Sequence, residues 1–373
     1  MSGSLPPGLP VMPLVRITPS KFQSFMNCRL KACWESGHAG GLLPSSPAGH
    51  IGTVIHKIIE IVGKNEIDAD TDFELIWRQS VEEEEKKMRN SWIERHLVPL
   101  EISDPHFDIK RRQCRLIIER MIRESTRKES MSDFQNESGK EVWLQTEDGK
   151  IGGYIDAIIS TEKGEIIKDF KTGSIFEPGQ QGSDLPINKQ YELQLKLYAA
   201  LFNSAYAKWP ASLEIVGLDG AIHPVEFAPE ECLNLLITAC RLLDEVNLAI
   251  GGSESEQKEV HKQLSSPSPE NCRFCLYRPC CPSYWKKREV DPSADWPNDA
   301  KGLITEIKNL GNGLIFIKLL LDNSETISIR GLHPERHSAL KRRPNRIAIF
   351  SMIASRVKGS FREGKYTTIY ILD

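Results

Sequence analysis

Two short apolar runs joined by a tight turn constrain the fold of this chain more than any other stretch. The first run covers residues 152–159, the second covers 165–171, and Gly164 lies in the turn between them. Both runs are rich in Ile, Phe and Tyr, and glycine accepts the backbone angles that tight turns need. The pattern therefore predicts a β-hairpin.

Three charged residues interrupt this apolar hairpin. Asp156 lies inside the first run, while Asp169 and Lys171 close the second. Residues two apart on a strand share a face, and the paired strand can bring Asp156 beside them. Two carboxylates next to an amine suit a hard divalent cation such as Mg²⁺ or Mn²⁺. A surface hairpin with an incidental ion pair is the alternative.

The cysteines form a second cluster, about three quarters of the way along the chain. Four of the nine cysteines lie between positions 272 and 281, where Cys272, Cys275 and Cys281 give the spacing C-x₂-C-x₅-C. In a chain without a secretory signal, this density indicates metal ligation more than disulfides. Spacing alone leaves a zinc site and an iron–sulfur cluster open.

Motifs in a fixed order connect these two features to a known family. Asp156 followed by Asp169-x-Lys171 on paired strands resembles the PD-(D/E)XK nuclease superfamily, and the continuation Thr172-Gly173 resembles its RecB-type branch. Two flanking motifs agree with that order: Gly52-x-x-x-His56 and Gln194-x-x-x-Tyr198.

The thiols extend the resemblance to the iron–sulfur branch of RecB-type nucleases, which includes AddB and the CRISPR adaptation nucleases. That branch has a fourth cysteine near the N-terminus, matched here by Cys28, although Arg29 stands where the branch usually has proline. The resemblance implies a structural 4Fe-4S cluster that staples both ends of the domain together, with Zn²⁺ as the alternative. Its ligands would be Cys28, Cys272, Cys275 and Cys281, and Cys33 and Cys280 are neighbouring substitutes.

The resemblance also implies roles for the remaining motif residues. Asp156 and Asp169 would hold Mg²⁺ or Mn²⁺, with His56 and the carbonyl of Phe170 assisting. Lys171 would orient the attacking water or stabilise developing charge. Gln194 and Tyr198 would position the substrate strand.

The implied activity is metal-dependent hydrolysis of DNA, on single strands or duplex ends, in repair, CRISPR adaptation or antiphage defence. A catalytically silent iron–sulfur subunit that binds DNA beside a helicase or defence protein is the alternative, and an RNA-directed enzyme is a third. The chain has no G-x-x-x-x-G-K-[ST] motif, so a helicase motor would be a separate partner.

Composition sets the outer limits. Hydrophobic residues make up 40% and charged residues 27%, as in ordinary soluble domains. No apolar run approaches the roughly 20 residues that span a bilayer. The start of the chain is rich in Pro and Gly and lacks a signal pattern. We therefore expect a cytoplasmic protein without a membrane partner, with a flexible tail over residues 1–15.

The nuclease unit is predicted over residues 16–290 as a mixed α/β, restriction-endonuclease-like core with inserted helices. Helices are expected at 21–28, from 52 onward, at 70–97, 108–130, 188–206 and 229–250. The acidic run 82–87 is expected to be a solvated helix face. Residues 251–269 are expected to be a polar link, and Glu141 opens a strand and is a weak further candidate.

The last segment, residues 298–373, is predicted to be a small all-β module. Five strand-like runs with a short helix between the third and fourth match an OB-like barrel, with an SH3-like barrel as the alternative. From Trp296 to the end there are 13 Lys and Arg against 7 Asp and Glu, a net +6, while the whole chain carries −3. This charge predicts nucleic-acid binding, with aromatic stacking candidates: Phe316, Phe350, Phe361 and Tyr366.

Overall fold

We describe the protein from a computed structural model, which covers residues 3–6, 8–38, 40–63, 73–129, 142–177, 186–251, 257–292 and 294–372. Within these ranges, the helices are α1 Phe22–Asn27, α2 Arg29–Gly37, α3 Pro47–Gly63, α4 Phe73–Asn90, α5 Leu100–Ser103, α6 Phe107–Glu129, α7 Lys189–Tyr206, α8 Pro229–Ile250, α9 Gln257–Leu264, α10 Pro269–Arg273 and α11 Pro282–Val290. None of these described helices has the length and apolarity needed to cross a membrane.

The strands fall into three sheets. They are β1 Val142–Gln145, β2 Gly152–Ile155, β3 Ala157–Thr161, β4 Gly164–Lys171, β5 Ser212–Gly217, β6 Ile222–Pro224, β7 Ala300–Asn309, β8 Ile315–Leu321, β9 Thr326–Leu332, β10 Arg346–Phe350, β11 Ile353–Ala354, β12 Ser360–Arg362 and β13 Thr368–Ile371. The sheets have the orders β1-β2, β3-β4-β5-β6 and β11-β12-β9-β8-β7-β10-β13.

The four-stranded sheet is the centre of a three-layer α/β unit. Strands β4 and β5 run parallel, and α7 makes the crossover between them. Ile167 and Ile215 pack on one face of the sheet with α7 and α8. Phe170 and Val216 pack on the other face with α3, α4 and α6. Side-chain alternation along β4 therefore directs Asp169 and Lys171 toward α7.

The predicted hairpin forms, with one correction. Strands β3 and β4 pair antiparallel, and Gly164 adopts φ +116° in the turn, a value that favours glycine. The first run is not one strand, however, because the chain bends at Asp156. Residues before the bend pair with β1 in a separate two-stranded sheet, whereas residues after it pair with β4.

The C-terminal segment forms a curled half-barrel consistent with the predicted OB-like module. A 3₁₀ turn at Ser338–Arg342 replaces the predicted short helix. The fourth of the five strand-like runs, predicted over residues 346–357, is interrupted at Ser351, which has φ +57°. Of the four predicted stacking candidates, Phe350 is fully buried and belongs to the core.

Two segments predicted to be irregular are ordered by contacts in the structure. The N-terminal stretch lies along the last strand, where Leu5 donates its N–H to the carbonyl of Ile371 at 3.2 Å. Val11, within the stretch predicted to be a tail, is buried at 2% exposure. In the predicted polar link, the described residues from Gln257 form helix α9.

The inserted helices differ from the predictions in extent and in burial. Helix α4 ends at Asn90, short of the predicted 97, and α2 was not predicted. Glu84 and Glu85 are buried, so the acidic run is not simply a solvated face. Glu85 accepts the N–H of Leu100 at 2.7 Å and so caps the start of α5. The candidate Glu141 lies outside the described residues.

A buried ion pair joins the α/β unit to the C-terminal sheet. Arg278 lies between the second and third cysteines of the C-x₂-C-x₅-C motif, and its Nε donates to Oδ2 of Asp299 at 2.6 Å. Asp299, which directly precedes β7, also accepts the Tyr284 hydroxyl at 2.7 Å and the Ser351 N–H at 2.8 Å. Arg278 Nη1 donates to the carbonyl of Cys275 at 3.1 Å. One buried pair thus connects the cysteine loop to the barrel.

We expect Asp299→Ala to lower the free energy of unfolding by about 3–5 kcal/mol, because Arg278 would be left buried and unpaired. Urea unfolding measures this loss. Glu245→Ala is the matched control, since it breaks an exposed ion pair to Arg241 on α8. The control should cost about 1 kcal/mol or less. Equal losses in the two variants would contradict the importance of the buried pair.

Candidate active site and thiol centre

The bend at Asp156 places its carboxylate against the end of β4. Asp156 Oδ2 accepts the backbone N–H of Phe170 at 2.8 Å. Since Ala157 pairs with Lys168 across the hairpin, Asp156 lies level with Asp169. The structure therefore brings the two predicted carboxylates to neighbouring positions at the same end of the hairpin.

Asp169, Lys171 and Gln194 form one buried polar network. Lys171 Nζ lies 2.6 Å from Oδ2 of Asp169 and donates to Oε1 of Gln194 at 2.9 Å. The amide nitrogen of Gln194 donates to the other oxygen, Oδ1, of Asp169 at 2.7 Å. The side-chain amide of Gln194 therefore binds both charged groups. Its oxygen accepts from the Lys171 ammonium, and its nitrogen donates to the Asp169 carboxylate. This arrangement fixes both side chains on the α7 face of the sheet.

One atom of this network stands out as a candidate ligand. Asp169 is only 2% exposed, and its Oδ2 has no well-aligned hydrogen bond despite the close ammonium. This oxygen already faces one cation, the ammonium of Lys171, so the position suits positive charge. Among the described residues, however, no three His, Cys, Asp or Glu side chains are close enough to hold a metal ion together. A magnesium ion would therefore be held by the two carboxylates and water, the arrangement Mg²⁺ commonly adopts.

His56 opens onto a surface cleft beside this network. The cleft has a volume of about 480 Å³, and Gly52, His56, Glu60 and Thr172 are among its lining residues. The side chain of His56 is exposed to the cleft, but the protein beneath it partly desolvates the imidazole, and this desolvation lowers the pKa of His56. The positive charge of Lys171 lowers it further, and Asp169 opposes the change. The ring is therefore neutral at neutral pH, the state in which imidazole binds metals.

Gln194 and Tyr198 are both buried, at 4% and 3% exposure, so they hold protein groups in this structure. The Tyr198 hydroxyl donates to the carbonyl of Tyr154 at 2.6 Å. Tyr191 was not among the predicted site residues, yet its ring centroid lies 4.5 Å from Lys171 Nζ. Tyr191 lies three residues before Gln194, a spacing that places both side chains on one face of the helix. This spacing could have identified Tyr191 from the sequence.

The four predicted thiol ligands line one small cavity, although they come from opposite ends of the α/β unit. Cys28 lies between α1 and α2, and the other three lie on α10 and the turn that follows. The void holds about 20 Å³, room for roughly one water molecule. The shared lining and the thiol chemistry, rather than the size of the void, therefore indicate a bound group. Cys33 and Cys280, the predicted substitutes, are absent from this lining.

The surroundings of the cavity disfavour reactive free thiols. Burial raises the pKa of Cys272 and of Cys281 to about 12, and neighbouring thiols add to the rise. Such thiols are protonated at neutral pH and are poor nucleophiles, whereas a bound metal deprotonates its thiol ligands outright. Lys31 and Arg278 also line the cavity and would offset thiolate charge. Neither cation was among the residues predicted from the sequence.

Comparison with known proteins identifies one family for most of the chain. Residues 16–282 match the family described as the PD-(D/E)XK nuclease superfamily. No curated protein matches the chain. Among solved structures, a candidate exonuclease from Eubacterium rectale is 16% identical, with a TM-score of 0.34. That match covers 65% of this chain and 81% of the other.

We expect Gln194→Leu to lower the free energy of unfolding by about 1–3 kcal/mol, since it leaves buried Asp169 and Lys171 without their shared partner. Chemical denaturation measures the loss. Gln190→Leu, one helical turn earlier, removes only a long 3.4 Å contact to the carbonyl of Ser20 and serves as the control. If the control destabilises the protein as much as Gln194→Leu does, the bridging role of the amide is refuted.

Proposed function

Because this chain belongs to the PD-(D/E)XK nuclease superfamily, we propose that it hydrolyses phosphodiester bonds of DNA with Mg²⁺ or Mn²⁺. The observation that carries the proposal is the network in which Asp169, Lys171 and Gln194 are hydrogen-bonded beside Asp156 and an open cleft. A buried carboxylate paired to an amine at a cleft is a site built for charge, not for apolar packing.

In this proposal Asp156 and Asp169 hold the divalent cation together with water, the carbonyl of Phe170 assists, and the neutral imidazole of His56 orients a bound water. When bound, such a cation would polarise the scissile phosphate and lower the pKa of a coordinated water from 15.7 toward about 7. The buried Oδ2 of Asp169, which already faces a positive charge, and the neutral ring of His56 both fit that assignment.

The remaining residues act on the substrate through their own charges and hydrogen bonds. Lys171 orients the attacking water and stabilises the negative charge that develops on the phosphate oxygens. Gln194 holds the side chains of Lys171 and Asp169 in fixed positions relative to each other, and so acts as a positioning residue. Tyr198 holds the backbone just before Asp156 through the carbonyl of Tyr154.

We further propose that Cys28, Cys272, Cys275 and Cys281 bind a structural 4Fe-4S cluster. Four thiols from distant parts of the chain line one cavity together with two cations. A single zinc ion binds sulfur at about 2.3 Å and so draws all four thiolates onto one atom. A cluster binds each thiolate through a different iron. We favour the cluster over zinc because the spacing of the four cysteines resembles that of the cluster-bearing nucleases.

The C-terminal half-barrel, residues 298–373, is proposed to bind the DNA strand next to the nuclease unit, residues 16–290. Exposed cations on the 3₁₀ turn and the β11–β12 hairpin supply attraction for phosphates. They are Lys341, Arg342, Arg343, Arg356, Lys358 and Arg362. On β8 and β9, the guanidinium of Arg330 lies 5.6 Å from the ring of Phe316.

We expect Lys171→Ala to abolish metal-dependent degradation of labelled DNA while leaving DNA binding unchanged. Lys168→Ala is the matched control, because Lys168 lies on the same strand but faces the opposite side and pairs with Glu214. The control should retain most of the activity. Cutting by Lys171→Ala at the wild-type rate would refute the catalytic assignment, and no cutting by the wild type with either metal would favour the silent DNA-binding subunit.

We expect anaerobically purified protein to contain iron and to show the broad visible absorption of thiolate-ligated iron. Cys272→Ala and Cys28→Ala should lose both, because each removes a proposed ligand. Cys33→Ala and Cys280→Ala should keep both, since neither side chain lines the thiol cavity. A colourless wild-type protein that contains zinc would refute the cluster in favour of the Cys₄ zinc site.

A further inference from the structure

A small aromatic surface lies on the two-stranded sheet next to the candidate active site. Trp143 on β1 and Tyr154 on β2 face each other across the ladder, with ring centroids 4.7 Å apart and planes at 64°. The guanidinium of Arg16 lies 4.9 Å from the centroid of the Trp143 ring. We call these three residues, together with Gln145, the aromatic platform.

Hydrogen bonds hold the platform in a fixed arrangement. The side-chain oxygen of Gln145 accepts from the indole N–H of Trp143 at 3.1 Å and from Nη1 of Arg16 at 3.3 Å. Gly152 provides the space beneath, because a Cβ there would lie 2.7 Å from Cβ of Gln145 and 3.1 Å from Trp143. The rings are thus positioned before any ligand arrives, which reduces the entropy cost of binding.

Tyr154 is the accessible member of the platform. Its side chain is 54% exposed, although it lies between two buried residues on β2. A cross-strand aromatic pair stabilises a hairpin whatever else it does. That role does not account for an exposed aromatic ring beside a stacked guanidinium, a combination that unpaired nucleobases bind.

The position of Tyr154 links the platform to the site of the reaction. Tyr154 precedes Asp156 by two residues, a separation of about 7 Å along a strand. Its carbonyl accepts the hydroxyl of Tyr198, which lies on α7 one turn after Gln194. The platform and the carboxylates therefore belong to the same short segment of backbone.

We propose that the aromatic platform binds an unpaired nucleobase of the DNA strand that is being cut, by stacking on Tyr154. This inference rests on the proposed nuclease function and specifies its substrate as a strand that is single where it passes the active site. Arg16 supplies positive charge beside the stacked base. A base pair within a duplex presents only its edges and cannot stack on the ring in this way.

Binding is measured without catalysis, in EDTA, with a single-stranded oligonucleotide that carries 2-aminopurine. Tyr154→Ala should weaken single-strand binding roughly tenfold, the loss typical of one stacked base. It should also restore the 2-aminopurine fluorescence that stacking quenches. Tyr154→Phe should behave as wild type, and affinity for a covalently closed circular duplex, which has no exposed terminal base pair, should not change.

Tyr206→Ala is the matched control, because Tyr206 is 47% exposed and also pairs with an aromatic ring, Phe202, at 4.7 Å. If Tyr154→Ala destabilises the fold, Tyr154→Leu keeps apolar cover over Trp143 while removing the aromatic face. The Tyr206→Ala control should bind and quench as the wild type does. Wild-type quenching and affinity in Tyr154→Ala or Tyr154→Leu would overturn the proposal. So would equal losses for single strand and duplex, or a wild-type protein that does not bind single strands. The readout needs no cutting, so a failed nuclease assay and a failed platform are told apart.

Discussion

The hydrogen bond from the backbone N–H of Phe170 to the carboxylate of Asp156 is the contact on which the site depends. It forms where the chain leaves the two-stranded sheet and enters the four-stranded one, so a single acidic residue serves as the corner between them. That corner aligns the first carboxylate with Asp169 on the paired strand. The polar network around Gln194 then fixes the second carboxylate and the lysine from the helix side. The geometry of the site thus depends on the bend at Asp156 and on the side-chain amide of Gln194.

The thiol cavity and the C-terminal barrel are connected through one loop. Cys28 reaches the cavity from the N-terminal helices, and the remaining thiols come from a loop more than two hundred residues later. Arg278 belongs to that loop, lines the same cavity and pairs with Asp299 at the entrance to the C-terminal sheet. Any group bound by the thiols would therefore also order the loop that holds the barrel in place. Stability of the α/β unit and placement of the barrel are consequently expected to depend on the same few residues.

The sequence predicted the site better than it predicted the connections around it. Asp169 and Lys171 could be placed together because strand alternation is a local rule, and the structure shows their side chains in contact. The bend at Asp156 was missed because apolar residues continue on both sides of it. The acidic run on α4 suggested a solvated face, yet Glu84 bonds with His50 at 2.8 Å, a partner 34 positions away. The role of Arg278 depends on Asp299 in the same way. Contacts of this kind follow from tertiary packing, which no local pattern specifies.

The paired glycines before Asp156 have a consequence for protein engineering. A Cβ on Gly153 would lie 2.9 Å from the ring of Pro19 and 3.3 Å from the Tyr198 hydroxyl, while Gly152 is crowded by β1. The backbone at these two glycines therefore lies between β1 on one side and Pro19 and Tyr198 on the other. Redesign of specificity should therefore leave both glycines untouched and vary the outward-facing side chains, because an added methyl group would force Gln145, Pro19 or Tyr198 to move.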